Sequence, residues 1–228
     1  GATLFVALLY ASGIGATAGN TLLAALLGAF FSGVLVLIFT MKNPGNLSIT
    51  KLLLAGTAMS TFFTALTSVA GLLSNQSQMV GFWVSGGFRG DVKIILAVGI
   101  PGFLAAVFLA PKINVISLGD DMATGLGIHP QRVRFITILL MIPLCAAAVV
   151  VGKTIGFVGL MIPQTIRLFA GTDYRRVIPL SFLCGAVLLT YADIAARMIY
   201  QPYEVPIGIF TAMLGVPFFL YMAGKERG

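Results

Sequence analysis

Between Gly1 and Met41 the chain carries no charged side chain. A soluble fold cannot use such a stretch, because its surface elements need a polar face toward water. Charged residues make up about 25% of an ordinary soluble domain, and here they make up 9%, against 58% hydrophobic. The mean hydropathy of +1.02 excludes a soluble enzyme, a secreted disulfide scaffold and a disordered tail. A polytopic membrane protein remains, with about 20 apolar residues needed per crossing.

Charge-free runs place the crossings. Gly1–Met41 is long enough for two, divided by the glycine-rich stretch from Ser12 to Asn20, the second lying at about 21–39. A turn at Lys42-Asn43-Pro44-Gly45-Asn46 leads to a third span at 52–73. Ser74-Asn75-Gln76-Ser77-Gln78 ends it, and Trp83-Val84-Ser85-Gly86-Gly87 reads as an interfacial segment. Further spans are expected at 92–110, 134–151, 156–170, 177–199 and 207–223, with a long polar stretch at 112–132. Backbone polar groups in hydrocarbon must pair within their own segment, so these are helices. The runs do not alternate, which excludes a barrel. The expected fold class is therefore all-α, a polytopic helical membrane protein of about eight transmembrane helices in one domain, 1–228. Ala24, Gly28 and Ser32 form a small-residue face suited to close helix packing.

Charge then orients the chain. With alternating sides, Lys42, Lys51, Lys112, Arg132, Arg134, Arg167, Arg175, Arg176, Lys225 and Arg227 fall on one side, and Arg89, Lys93, Lys153 and Arg197 on the other. Ten of the 14 basic residues thus share a side, which marks it as cytoplasmic. Eight spans put both ends of the chain there. The net charge of +7 follows from this bias and gives no reason to expect nucleic acid as a partner. The chain opens with Gly1 inside an apolar run and shows no signal peptide, so it reads as a fragment lacking an N-terminal part.

The polar stretch 112–132 is the most informative. Ser117 is placed to cap a short helix, with Asp120 and Asp121 in its first turn as the helix dipole favours. Leu118, Met122 and Leu126 share a face, Ala123 lies between, and Gly127 with Pro130 ends the helix. A helix lying on lipid is basic on its polar face, whereas this one is acidic. The expectation is a cytoplasmic docking element formed by Ser117, Leu118, Gly119, Asp120, Asp121, Met122, Ala123, Leu126 and Gly127.

Other features carry less. Gly152-Lys153-Thr154 looks like the tail of a phosphate-binding loop, but Ala147 stands where that loop needs glycine. ATP, if used, is bound by another subunit. His129 is one histidine with no cysteine nearby and reads as a surface residue; Cys145 and Cys184 lie in apolar runs, so no metal site or disulfide is expected. Asp193 and Arg197 are four apart with the acid first, an intramembrane charge pair that can neutralise itself on one helix. Tyr200, Tyr203 and Glu204 lie in an external connection. An ion-coupled secondary transporter, the alternative reading, would need several buried acids, and only Asp193 is available. A membrane enzyme would need a polar cluster at one depth, and none is present; no cofactor and no catalytic residue is expected.

The motifs taken together resemble the FecCD-type permeases, the membrane subunits of ABC importers for iron-siderophores, haem and vitamin B12. The carrying residues are Gly156-Phe157-Val158-Gly159-Leu160-Met161-Ile162-Pro163-Gln164 with Arg167, Gly171-Thr172-Asp173-Tyr174-Arg175-Arg176, Pro179-Leu180-Ser181, Ala192-Asp193-Ile194-Ala195-Ala196-Arg197, Glu204-Val205-Pro206-Ile207-Gly208-Ile209-Phe210-Thr211-Ala212 and Gly215-Val216-Pro217-Phe218-Phe219. Upstream, Leu52-Leu53-Leu54-Ala55-Gly56, Phe82-Trp83 with Gly86, and Ser117-Leu118-Gly119 through Leu126-Gly127 also fit. Gln164 and Tyr174 stand where the family usually has histidines. The resemblance implies that this chain corresponds to spans three to ten of a ten-span permease. It also implies a second permease subunit, two cytoplasmic ATP-binding subunits and an extracytoplasmic substrate-binding protein, in the bacterial cytoplasmic membrane. The segment 117–128 would be the coupling helix, and Arg197 would meet carboxylates of the binding protein.

Overall fold

The computed structural model describes residues 1–13, 17–42, 49–74, 86–88, 92–199 and 205–225. Among these, nine helices and no strand occur: α1 (Ala2–Ala11), α2 (Ala18–Lys42), α3 (Ile49–Leu73), α4 (Val92–Ile116), α5 (Asp120–Gly125), α6 (Pro130–Gly152), α7 (Val158–Ala170), α8 (Tyr174–Met198) and α9 (Ile207–Lys225). Each of the eight apolar segments expected from charge falls on one of these helices, and α5 is the ninth. Four helices are long and apolar enough to cross a membrane, at Gly56–Leu73, Val92–Ile116, Pro130–Gly152 and Tyr174–Met198; shorter apolar helices lie at Ala2–Ala11, Gly19–Leu35, Val158–Ala170 and Ile207–Phe218. The expectations for residues 43–46, 75–78, Trp83 to Ser85, Arg89, Tyr200, Tyr203, Glu204 and Arg227 lie outside the described residues.

Interior prolines are tolerated here as they are not in soluble helices, because neighbouring groups re-satisfy the freed carbonyls. Pro111, Pro143, Pro163, Pro179 and Pro217 all sit inside helices. Pro101 has no N–H to offer the Ala97 carbonyl, and the turn before it, Ile95–Gly99, is π-helical. Large apolar side chains face outward, among them Phe108, Phe169 and Leu220. Water would penalise such a surface; hydrocarbon does not. The chain is a multi-pass helical membrane protein.

Two compact units are formed. One comprises Gly1–Val84, Arg89–Gly99 and Met141–Thr154. Its core joins Ala2 and Val6 of α1, Ala24, Ala25 and Ala29 of α2, and Ala146 and Val150 of α6. The small face of α2 packs against α1 so closely that a carbon added to Gly28 would lie 2.5 Å from the Gly1 carbonyl oxygen and 2.8 Å from Ala2 Cα. Without a hydrophobic drive between helices, such close backbone approach supplies the attraction. Phe31 continues the contact, its ring 6.0 Å from Phe5 and 6.3 Å from Phe63.

The other unit comprises Ser85–Phe88, Ile100–Leu140 and Ile155–Gly228. Ala192, Ala196 and Ile207 are its buried centre, flanked by Phe88, Ile155 and Phe210. Phe103 of α4 and Phe182 of α8 meet with ring centroids 4.6 Å apart. Phe157 opens α7 at φ 66°, an uncommon conformation for a bulky residue. Gly215 of α9 lies against it, where an added carbon would sit 2.5 Å from the Phe157 Cγ.

Candidate functional site

The site builds from the connection between α4 and α6. Sequence alone gives a polar stretch at 112–132; the structure carries α4 on to Ile116 and starts α6 at Pro130. Lys112 is a good helix former, and the Asn114 side chain finds partners elsewhere, so nothing ends α4 until Ser117. Pro130 suits a first helical position, where its missing N–H is not needed.

Ser117 does not cap α5, contrary to expectation. Its hydroxyl donates back to the Asn114 carbonyl at 2.6 Å, closing the end of α4. It stands two residues too early for a capping role, which falls to Gly119, with no side-chain cap. Gly119 has φ 121°, and Gly127 has φ 75°, conformations costly for any residue with a Cβ. At the other end the Gly127 N–H donates to the Thr124 carbonyl and the Ile128 N–H to the Ala123 carbonyl at 2.9 Å. This is the paired closure of a Schellman motif, as the sequence position of Gly127 implied.

Asp120 and Asp121 occupy the first turn of α5. Asp120 accepts two bonds from Arg134 of α6, at 2.7 and 3.0 Å. Ala123 is fully buried, while Leu118, Met122 and Leu126 are 67%, 59% and 64% exposed. Six residues cannot hold a helix alone in water. The Arg134 fork, the buried Ala123 and the two glycine-bounded turns hold this one, leaving an uncovered apolar row beside acidic Asp121. The site lies wholly within the second compact unit.

Asp193 and Arg197 pair as their spacing predicts, Nε to Oδ2 at 2.9 Å, and Arg197 also reaches the Phe88 carbonyl at 3.5 Å. His129 is exposed. Two features escaped sequence reasoning. Arg134 stands 14 residues from Asp120, a separation with no local periodicity. Asn114 is joined to Asp173 and Tyr174, about 60 positions away, a pairing that only a tertiary fold creates. Asp173 caps α8 by accepting the Arg175 N–H. That bond, then the Asn114 amide, holds its carboxyl below the ordinary aspartate value, with Arg175 and Arg176 adding to the effect.

Residues 1–225 match the FecCD transport family. The chain is 39% identical to the iron(3+)-hydroxamate import system permease protein FhuB of Bacillus subtilis, over all of this chain and 60% of that protein. It is 37% identical to the Fe(3+)-citrate import system permease protein YfmD of the same organism, over 91% of this chain and 63% of the relative. With the hemin transport system permease protein HmuU of Yersinia pestis it shares 32%, over 89% and 63%. Among solved structures, one described as a metal-chelate type ABC transporter in an inward-facing conformation superposes with TM-score 0.83 and 28% identity, over 99% of this chain and 73% of that one. The chain spans less than two thirds of the length of these three curated relatives. On the family match and these identities, the chain belongs to the FecCD transport family.

Proposed function

We propose that the chain acts as a single permease domain of an ABC importer that moves an iron chelate, a siderophore complex or haem, across the bacterial cytoplasmic membrane. The observation that carries this is the uncovered row Leu118, Met122 and Leu126 on the short, acidic helix α5, which internal contacts already hold in place. A groove of an ATP-binding subunit is the occupant the family membership supports. Fully burying one such side chain contributes up to about 1.5–3 kcal/mol, and association has its own cost, so the row is an anchor within a larger contact. The proposed coupling element is Ser117, Leu118, Gly119, Asp120, Asp121, Met122, Ala123, Leu126 and Gly127, within the segment 112–132.

In this reading two ATP-binding subunits hydrolyse ATP in the cytoplasm and this chain supplies no reacting group. A second permease subunit completes the pathway, and both ends of this chain lie on the cytoplasmic side, where ten of the 14 basic residues gather. On the opposite side Arg197, half exposed, meets a carboxylate of the substrate-binding protein. The iron-hydroxamate, ferric-citrate and hemin names of the relatives support an iron chelate as cargo.

Replacing Leu126 or Gly119 by glutamate in the full-length importer tests the reading. Substrate-stimulated ATP hydrolysis is expected to vanish while membrane insertion is unaffected. Hydrolysis at the wild-type rate in both variants would overturn the docking role.

A further inference from the structure

Asn114 has both ends of its side-chain amide engaged by α8 and its cap. Its Nδ2 donates to Asp173 Oδ1 at 2.6 Å, and its Oδ1 accepts the Tyr174 N–H at 2.8 Å. Two bonds from one planar group to adjacent residues fix both the position and the rotation of the end of α4 against the start of α8. The Asn114 carbonyl meanwhile holds the Ser117 hydroxyl at 2.6 Å, the first residue of the connection to α5.

The contact continues beyond α8. Tyr174 Oη accepts from Arg167 at 2.8 Å, and the Arg167 guanidinium lies over the Tyr174 ring, 5.1 Å from its centroid. Arg167 is in the last turn of α7. A chain of hydrogen bonds therefore runs from Ser117 through Asn114 to the first turn of α8 and the last turn of α7. Earlier on α4, Phe103 packs against Phe182 of α8 with ring centroids 4.6 Å apart and planes tilted by 34°. The two contacts are eleven residues apart on α4, about 16 Å at 1.5 Å per residue. Two contacts that far apart hold α4 against α8 at two levels.

We propose that Asn114 is the positioning residue through which displacement of the 117–129 connection is passed to α8 and α7. This rests on the docking role argued above: a partner that pushes on α5 pushes on Ser117, and Ser117 is bonded to the residue that grips α8. A coupling path needs coupling evidence beyond adjacency, and the chemistry of the pair permits an experiment that supplies it. Asn114→Asp sets two carboxylates against each other. Adding Asp173→Asn removes the repulsion and offers the carboxylate at position 114 an amide donor. One atom, Asp173 Oδ1, accepts from both the Asn114 amide and the Arg175 N–H, so the amide introduced at position 173 donates to the carboxylate at position 114 only by turning its nitrogen there, and gives up the Arg175 N–H.

The test uses the full-length importer reconstituted in liposomes with its ATP-binding subunits and binding protein. Ferric hydroxamate, ferric citrate and haem are each offered, and the one the wild type accumulates serves as probe. Three quantities are read: retention of the ATP-binding subunits, ATP hydrolysis, and chelate moved per ATP hydrolysed. Asn114→Asp is expected to keep the subunits bound and to lower transport per ATP about fivefold, the scale of one net hydrogen bond. The Asn114→Asp/Asp173→Asn double variant is expected to recover part of it. Wild-type transport per ATP in Asn114→Asp, or no recovery in the double variant, would overturn the proposal. Loss of the ATP-binding subunits from Asn114→Asp would also overturn it, by making Asn114 a support of the docking surface. If Asn114→Asp fails to accumulate in the membrane, Asn114→Ala removes both bonds without the repulsion and is read by the same first and last criteria. Failure of the wild type itself to bind ATP-binding subunits would instead strike at the docking role.

Discussion

Arg134 grips Asp120 through two guanidinium nitrogens, at 2.7 and 3.0 Å, across the turn that joins α5 to α6. Both side chains are about half exposed, so the pair adds little to global stability. Its work is orientation. Arg134→Lys keeps the charge but loses the planar fork, and Arg134→Gln loses both. The thermal midpoint of either variant in detergent is expected to lie within about 2 °C of wild type. Substrate-stimulated hydrolysis should fall in the order wild type, lysine, glutamine. Equal hydrolysis in all three would remove Arg134 from the site.

Arg197 offers a second separation of roles. Its Nε is committed to Asp193 at 2.9 Å. Asp193→Asn breaks the ion pair and leaves the guanidinium in place, whereas Arg197→Glu reverses the charge. Capture of the loaded binding protein is expected to weaken about tenfold or more in Arg197→Glu, the scale of a charged pair turned repulsive, and to stay near wild type in Asp193→Asn. Unaltered capture in Arg197→Glu would leave Arg197 as an insertion partner for Asp193.

The Asp173 carboxyl titrates below its ordinary value of 3.8 because the Arg175 N–H and the Asn114 amide favour its ionised form. A carboxyl depressed in the folded state contributes stability that is present above its unfolded value and is lost as pH falls through the folded one. The difference in thermal midpoint between wild type and Asp173→Asn should therefore hold from neutral pH down to 3.8 and close only below it. A difference that closes well above that value would contradict the contacts described.

Gly215 has no room for a side chain against Phe157, and Phe157 cannot easily retreat, because it begins α7 with φ already at 66°. Gly215→Ala is expected to destabilise the protein by about 1–3 kcal/mol through overpacking. Phe157→Ala in the same background should recover part of the loss. A Gly215→Ala thermal midpoint equal to wild type would mean that α9 shifts at no cost.

Much of this protein was legible in residues alone, for reasons of solvent. Hydrocarbon tolerates only self-satisfied backbone, so uncharged runs had to be helices, and most of their limits could be read to within a few residues, though α4 runs six residues past its expected end at 110. The turn at Gly127 and the pair Asp193–Arg197 were also readable, since both are local chemistry at fixed helical offsets. The start of α5 was misread at Ser117 because a hydroxyl can close the helix behind it as readily as open the one ahead. Tertiary structure alone decided which polar groups meet across distance. No spacing rule joins Asn114 to Asp173, or Arg134 to Asp120; those bonds exist because packing of apolar helix faces brings the helix ends together, and the polar side chains stranded there must then find one another.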